Sequence, residues 1–261
     1  MTGTFFAVGV PGLPAVLGLA LLVWLISLAK RDASISDVFW GLGFVVLAWL
    51  YRDLGDAESF RTVLVPLLVT VWGMRLAAHI LARGRGRGED LRYAAMRRRW
   101  GSRFPLVSLF TVFWLQAGIL WMVALPLLQV QTAAAPWSWL DGVGVALFTL
   151  GFVFEAVGDL QLLRFRADPA NRGRVLDRGF WRYTRHPNYF GDAVLWWGFG
   201  ALALATPGGA WTLGGPALMT FLLRRVTGVT LLEKGLRESR PAYRDYVRRT
   251  NAFFPWWPRR S

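Results

Sequence analysis

The sequence predicts an all-α, polytopic membrane protein: a bundle of seven transmembrane helices with the N-terminus outside and the C-terminus in the cytoplasm. Three observations carry that expectation. Hydrophobic residues make up 54% of the 261 residues and come in long blocks, 15 Trp and 18 Phe are present, and 27 of the 30 Lys and Arg fall at alternate ends of those blocks. A helix needs about 20 apolar residues to cross the hydrocarbon core, where every backbone polar group must be paired internally. Positive charge sorts to the cytoplasmic side.

The blocks predict spans near Val8–Ala29, Ile35–Tyr51, Phe60–His79, Leu106–Gln129, Trp139–Leu163, Tyr189–Ala205 and Trp211–Val229. The apolar stretch Phe5 to Ala29 has neither a positive leader nor a small-residue cleavage site, so it reads as a retained helix. Basic residues follow the first span (Lys30, Arg31), the third (eight arginines from Arg83 to Arg103), the fifth (Arg164 to Arg185) and the seventh (Arg224 to Arg260). The alternate connections hold Arg52 and Arg61 around Asp53, Asp56 and Glu58, then the uncharged Val130–Ser138 and Thr206–Ala210. Such alternation requires an odd number of helices. No internal repeat or low-complexity tract marks a second domain, so residues 1–261 read as one membrane domain.

A net charge of +14 raises nucleic acid as a partner, but the arginines lie between apolar blocks, where they set topology and meet membrane lipids or phosphorylated small molecules. No nucleic-acid partner is expected. The absence of cysteine excludes disulfides, thiolate metal sites and a cysteine nucleophile.

Ionisable residues inside spans are costly and face a cavity or a partner. Asp37 opens the second span, Arg75 and His79 close the third, Glu155 and Asp159 lie in the fifth and Asp192 in the sixth. Glu155 and Asp159 are four apart and share a helix face, and Asn188 and Asp192 repeat that spacing. An intra-bundle charge ladder is the competing account of each pair. Between them runs a stretch rich in Arg, Tyr and His, from Arg166 to Asp192, whose planar guanidinium groups suit phosphate. Arg83-Gly-Arg-Gly-Arg-Gly88 matches neither the dinucleotide fingerprint nor the Walker pattern and reads as a flexible basic loop. Glu89-Asp90-Leu-Arg-Tyr93 follows it, either capping a short helix or reaching over the mouth of the bundle.

The segment Gly179-Phe-Trp-Arg-Tyr-Thr-Arg-His-Pro-Asn-Tyr-Phe-Gly-Asp192 resembles the signature of membrane steroid and sterol reductases. Over most of the chain, and most strongly from Glu155 to Pro255, the sequence is similar to the bacterial branch of the steroid 5-alpha-reductase family. That resemblance implies a seven-helix, NADPH-dependent oxidoreductase of the bacterial inner membrane with its cofactor site facing the cytoplasm. It assigns the cofactor to Glu155, Asp159, Arg166, Arg174, Tyr183, Arg185, His186, Asn188, Tyr189 and Asp192, with Glu233, Tyr243 and Tyr246 in a closing segment. Residues 1–150 become the substrate and catalytic half and 151–261 the NADPH-binding half. Glu155 stands where the steroid enzymes carry asparagine. Their early Gln-Glu pair and later tyrosine have Ser36-Asp37, His79 and Tyr93 as nearest counterparts.

Reducing an enone requires a hydride donor at the β-carbon and a proton or hydrogen-bond donor at the carbonyl oxygen. Asp37 is the first candidate for the second role, followed by His79 and Tyr93; capping of the second span with Ser34 or Ser36 is the structural account of Asp37. The expected reaction is reduction of a carbon–carbon double bond in a 3-oxo-Δ4 steroid or similar apolar substrate entering from the bilayer. The alternative is an S-adenosylmethionine-dependent membrane methyltransferase of the isoprenylcysteine or phospholipid type, which shares the Arg-His-Pro-x-Tyr segment. A non-catalytic lipid-binding bundle is the third.

Overall fold

The computed structural model describes residues 2–86, 88–226 and 241–259. Every regular element among these residues is helical, and five stretches are long and apolar enough to cross a membrane: Phe6–Lys30, Ile35–Leu54, Arg61–Gly84, Leu91–Val123 and Trp139–Ala167. Large apolar side chains such as Leu22, Leu67, Val71, Phe110 and Leu150 remain exposed along them. Contiguous apolar surface of this kind is costly in water and ordinary in lipid.

The chain forms two compact units. The first, Met1–Trp137 with Ala203–Thr212, holds α1 (Thr2–Lys30), α2 (Ile35–Leu54), α3 (Arg61–Gly84), α4 (Leu91–Trp100), α5 (Phe104–Ser108), α6 (Leu115–Val123) and α7 (Leu125–Thr132). Helices α2 and α3 meet backbone to backbone: a Cβ added at Gly41 would lie 2.7 Å from the Gly73 carbonyl oxygen, and one at Gly73 2.6 Å from that of Gly41. Indole N–H groups tie α1 to the later helices, Trp24 to the Pro105 carbonyl at 2.9 Å and Trp121 to that of Gly9 at 3.0 Å.

The fourth expected span, Leu106–Gln129, is a segmented element. It starts at Phe104, passes through a π-helical turn, Leu109–Trp114, and pivots at Ala124 before Pro126 opens α7. Proline suits a first helical turn and interrupts an interior one, which explains the break. Arg61, one of the few basic residues outside the basic connections, is fully buried and donates to the carbonyls of Ala135 (2.6 Å) and Pro136 (2.7 Å).

The second unit, Ser138–Leu202 with Leu213–Ser261, is organised by α8 (Trp139–Ala167) and α9 (Pro187–Leu204). Ser138 and Asp141 form a reciprocal capping box at the start of α8. Gly144, Gly151 and Gly158 recur every seven residues on α8, and Gly191 and Gly198 do so on α9. A Cβ at Gly151 would fall 2.4 Å from the Gly191 carbonyl oxygen and one at Gly198 2.7 Å from that of Gly144, so small residues set the approach of the two helices.

Helix α9 covers the region expected for the sixth span, begun two residues earlier at Pro187, but it is not among the five stretches long and apolar enough to cross a membrane. The region of the seventh opens with a 3₁₀ turn at Gly209–Leu213, continues in α10 (Gly214–Phe221) and ends its described part in a π turn, Leu222–Val226. The last three residues expected in it, 227–229, lie outside the described residues, as does Glu233. A basic helix, α11 (Pro241–Arg249), precedes the C-terminal segment.

Candidate functional site

Two polar clusters form, one in each unit. In the first unit, the Tyr93 hydroxyl on α4 donates to Asp37 Oδ1 on α2 at 2.7 Å and accepts from Ser36 Oγ at 3.1 Å. Ser36 and Tyr93 are buried, and Arg92 donates to the second Asp37 oxygen at 2.7 Å. Asp37 therefore does not cap α2. Ser34, at the cap position, makes no side-chain cap bond either; its hydroxyl accepts from the Asp90 N–H at 2.7 Å. Both carboxylate oxygens of Asp37 accept, one from the phenol and one from Arg92.

Asp90 caps α4, accepting from the Arg92 N–H at 2.9 Å, so the capping account of this stretch holds for it. Glu89 instead accepts from the Ala33 N–H at 2.9 Å and from both arms of Arg97, at 2.9 and 2.7 Å. The Arg97 hydrogen bond holds the Glu89 carboxyl below its ordinary range, against a smaller opposing effect of burial. These bonds fix α4 on the α1–α2 connection and thereby place Tyr93. His79 lies half-buried on the last turns of α3 and takes no part in the hydrogen bonds of Asp37 and Tyr93.

In the second unit, the glycine-mediated approach of α8 and α9 brings the sequence-spaced polar pairs together. Glu155, Asp159 and Asp192 are buried, and Asn188 Nδ2 donates to Asp159 Oδ1 at 3.1 Å. That bond leaves Asn188 Oδ1 buried with no hydrogen-bond partner among the described residues. A buried acceptor in this state costs free energy unless a ligand or water donates to it.

The signature loop is held from both sides. Trp181 Nε1 donates to the Gly158 carbonyl at 3.1 Å, and Gln161 Oε1 accepts from the Phe180 N–H at 3.1 Å. From the other side, the Arg185 N–H donates to the Asn251 carbonyl at 2.9 Å and the Trp256 N–H to that of Tyr183 at 3.0 Å. The buried Arg185 guanidinium donates to the carbonyls of Val247, at 3.1 Å, and Thr250, and the Tyr246 hydroxyl donates to the Trp181 carbonyl. Arg185 and Tyr246, both expected at the cofactor, thus fasten α11 and the C-terminal segment to the loop. Tyr183 packs edge-on against Trp257, His186 stacks parallel to Tyr189 at 5.5 Å, and Tyr243 meets Tyr246 at 5.7 Å. Arg166 and Arg174 are exposed.

Three features escaped the sequence reading: the Ser36–Tyr93 bond, the Glu89–Arg97 fork and the glycine stripes. The first joins residues 57 apart, the second spans 8 residues across the start of α4, and the third was written in a period of seven. Residues 23–250 match the family described as "Protein of unknown function (DUF1295)". An uncharacterized protein of Schizosaccharomyces pombe (strain 972 / ATCC 24843) is 27% identical over 283 aligned residues, covering 93% of this chain and 80% of the yeast protein. The chain belongs to the DUF1295 family, and the family match spans both polar clusters.

Proposed function

We propose that this DUF1295 member is an NADPH-dependent oxidoreductase that reduces a carbon–carbon double bond in an apolar enone, with a 3-oxo-Δ4 steroid as the type of substrate. The carrying observation is Asn188: its amide is oriented by Asp159, its carbonyl oxygen is buried and open to a donor, and it sits in the reductase-like Arg185-His-Pro-Asn-Tyr-Phe-Gly-Asp192 segment. A carboxamide such as that of a nicotinamide offers the N–H donors this acceptor needs. When bound, NADPH supplies the hydride. Asn188 and Asp159 orient the cofactor in this reading, and the exposed Arg166 and Arg174 are assigned to its phosphates.

The remaining requirement is a donor at the substrate carbonyl, where negative charge develops. That role falls to Tyr93, with Asp37 and Ser36 holding its hydroxyl and His79 as a second proton source. The reading includes seven spans, an outside N-terminus and a cytoplasmic cofactor site, supported by the placement of 27 of 30 basic residues. Substrate reaches the protein from the bilayer.

The test is NADPH binding and enone-dependent NADPH oxidation by the purified protein. Asn188→Ala is expected to weaken NADPH about tenfold, the equivalent of one lost hydrogen bond in a buried site. Wild-type protein that neither binds NADPH nor oxidises it with any enone sinks the proposal. One observation favours a methyltransferase as second reading: three buried acids, Glu155, Asp159 and Asp192, suit ribose hydroxyls and a sulfonium charge, while Arg185 is engaged with backbone carbonyls. Thermal stabilisation by S-adenosylmethionine and none by NADPH would select it.

A further inference from the structure

A cavity in the second unit, of about 420 Å³, is lined by Arg178, Arg182, Arg249 and Arg259 together with Asp177 and Tyr246. Four guanidinium groups and one carboxylate among the described lining residues leave a large positive excess. Asp177 approaches Arg249 at 3.7 Å, and the neighbouring Asp245 is bound to Arg248. Sorting to one side of a membrane requires positive charge near the ends of spans but does not require four guanidinium groups to converge on one concavity. Convergence is costly for like charges and becomes favourable when an anion is shared between them.

The cavity is built on a fixed frame. The Arg259 N–H donates to the Arg249 carbonyl at 2.9 Å and the Tyr246 hydroxyl to the Trp181 carbonyl, so arginines from three chain segments are held about one space. A smaller neighbouring cavity, about 350 Å³, shares Arg178 and reaches Gln161 and Arg164 on the last turns of membrane-length α8. Trp256 and Trp257, just before Pro258 and Arg259, are 69% and 71% exposed. Exposed tryptophans beside basic residues suit the headgroup level of a bilayer.

We propose that this cavity is a phosphate-binding site separate from the Asp159–Asn188 site, its ligand a phosphate ester carried by an anionic phospholipid headgroup or by a soluble metabolite. Guanidinium forks match pairs of phosphate oxygens, and the volume lies within the range of small-molecule pockets.

The experiment compares wild-type protein with the Arg182→Gln/Arg249→Gln variant in bilayer discs of neutral phosphatidylcholine and in discs containing phosphatidylglycerol. Native mass spectrometry counts retained lipid, and thermal shift follows inorganic pyrophosphate in the neutral discs. Preferential retention of phosphatidylglycerol by wild type, reduced about tenfold in the variant, establishes the site with a lipid source. A pyrophosphate stabilisation present only in wild type establishes it with a soluble source. Equal lipid retention and equal pyrophosphate response in the two proteins overturn the proposal. Should the double variant fail to fold in neutral discs, Arg182→Lys/Arg249→Lys, which keeps the charge and removes the forks, is judged by the same comparison. NADPH affinity measured alongside separates the two sites: loss of NADPH binding in wild type would sink the cofactor reading and leave this one standing.

Discussion

At the scale of single residues, the hydroxyl of Tyr93 is the group to which the proposed reaction assigns the donor role. It is held by Ser36 and Asp37, and Tyr93→Phe removes both bonds while preserving the ring. The expected result is a loss of about a hundredfold in enone turnover, the lower range for a general acid, with NADPH affinity essentially unchanged. A mutant retaining wild-type turnover would return the donor role to Asp37 or His79. Glu89 makes a prediction in pH. Its folded pKa lies below the ordinary value of 4.5, so the Glu89–Arg97 contact contributes fully above that pH and is lost as pH falls through the lower folded value. Glu89→Gln should flatten that acid-side decline in thermal stability; an identical pH profile would remove Glu89 as its source. The sequence exposed Asp37, Tyr93 and Glu89 as polar groups in unusual places. It could not give their partners, because Asp37 and Tyr93 are 56 residues apart and their pairing depends on how α4 docks.

At the scale of elements, the approach of α8 and α9 decides whether Glu155, Asp159, Asn188 and Asp192 form a cluster. Gly151→Ala pushes a methyl group to within 2.4 Å of backbone on α9, whereas a Cβ at Gly142, on the same helix, meets nothing within 4 Å. The first should cost about 1–3 kcal/mol and weaken NADPH; the second should do neither. Equal thermal midpoints for the two variants would show that close approach does not hold the pair together. The apolar blocks made α1, α2, α3 and α8 legible with ends that differ by up to six residues, the helices running on past the apolar blocks. The π turn at Leu109–Trp114 was illegible, since an i→i+5 pattern has no compositional mark. The pivot at Ala124 carried a mark in Pro126, which a hydropathy count passes over.

At the scale of the whole molecule, the charge alternation makes a topological prediction: reporters fused at Thr132 and after the C-terminal segment should report opposite faces. Landing on one face would refute the seven-span arrangement. The same alternation explains why the candidate site was only partly legible. Twenty-seven basic residues follow the same alternate connections in the sequence, and only three-dimensional placement separates Arg185, which binds backbone carbonyls, from Arg182 and Arg249, which line a cavity. The fastening of residues 181–185 by residues 246–256 also sets an order of events in the cell. A membrane helix pair can form as soon as its sequence has emerged, but two of the carbonyls that accept from Arg185, those of Val247 and Thr250, are made more than sixty residues later. Translation proceeds at about 5–20 residues per second, so the loop waits seconds after its own synthesis before it can settle. A ribosome that stalls in this interval leaves a chain whose helices are inserted and whose loop is still open to proteolysis, and the last stretch of translation thereby becomes a checkpoint on the quality of the site.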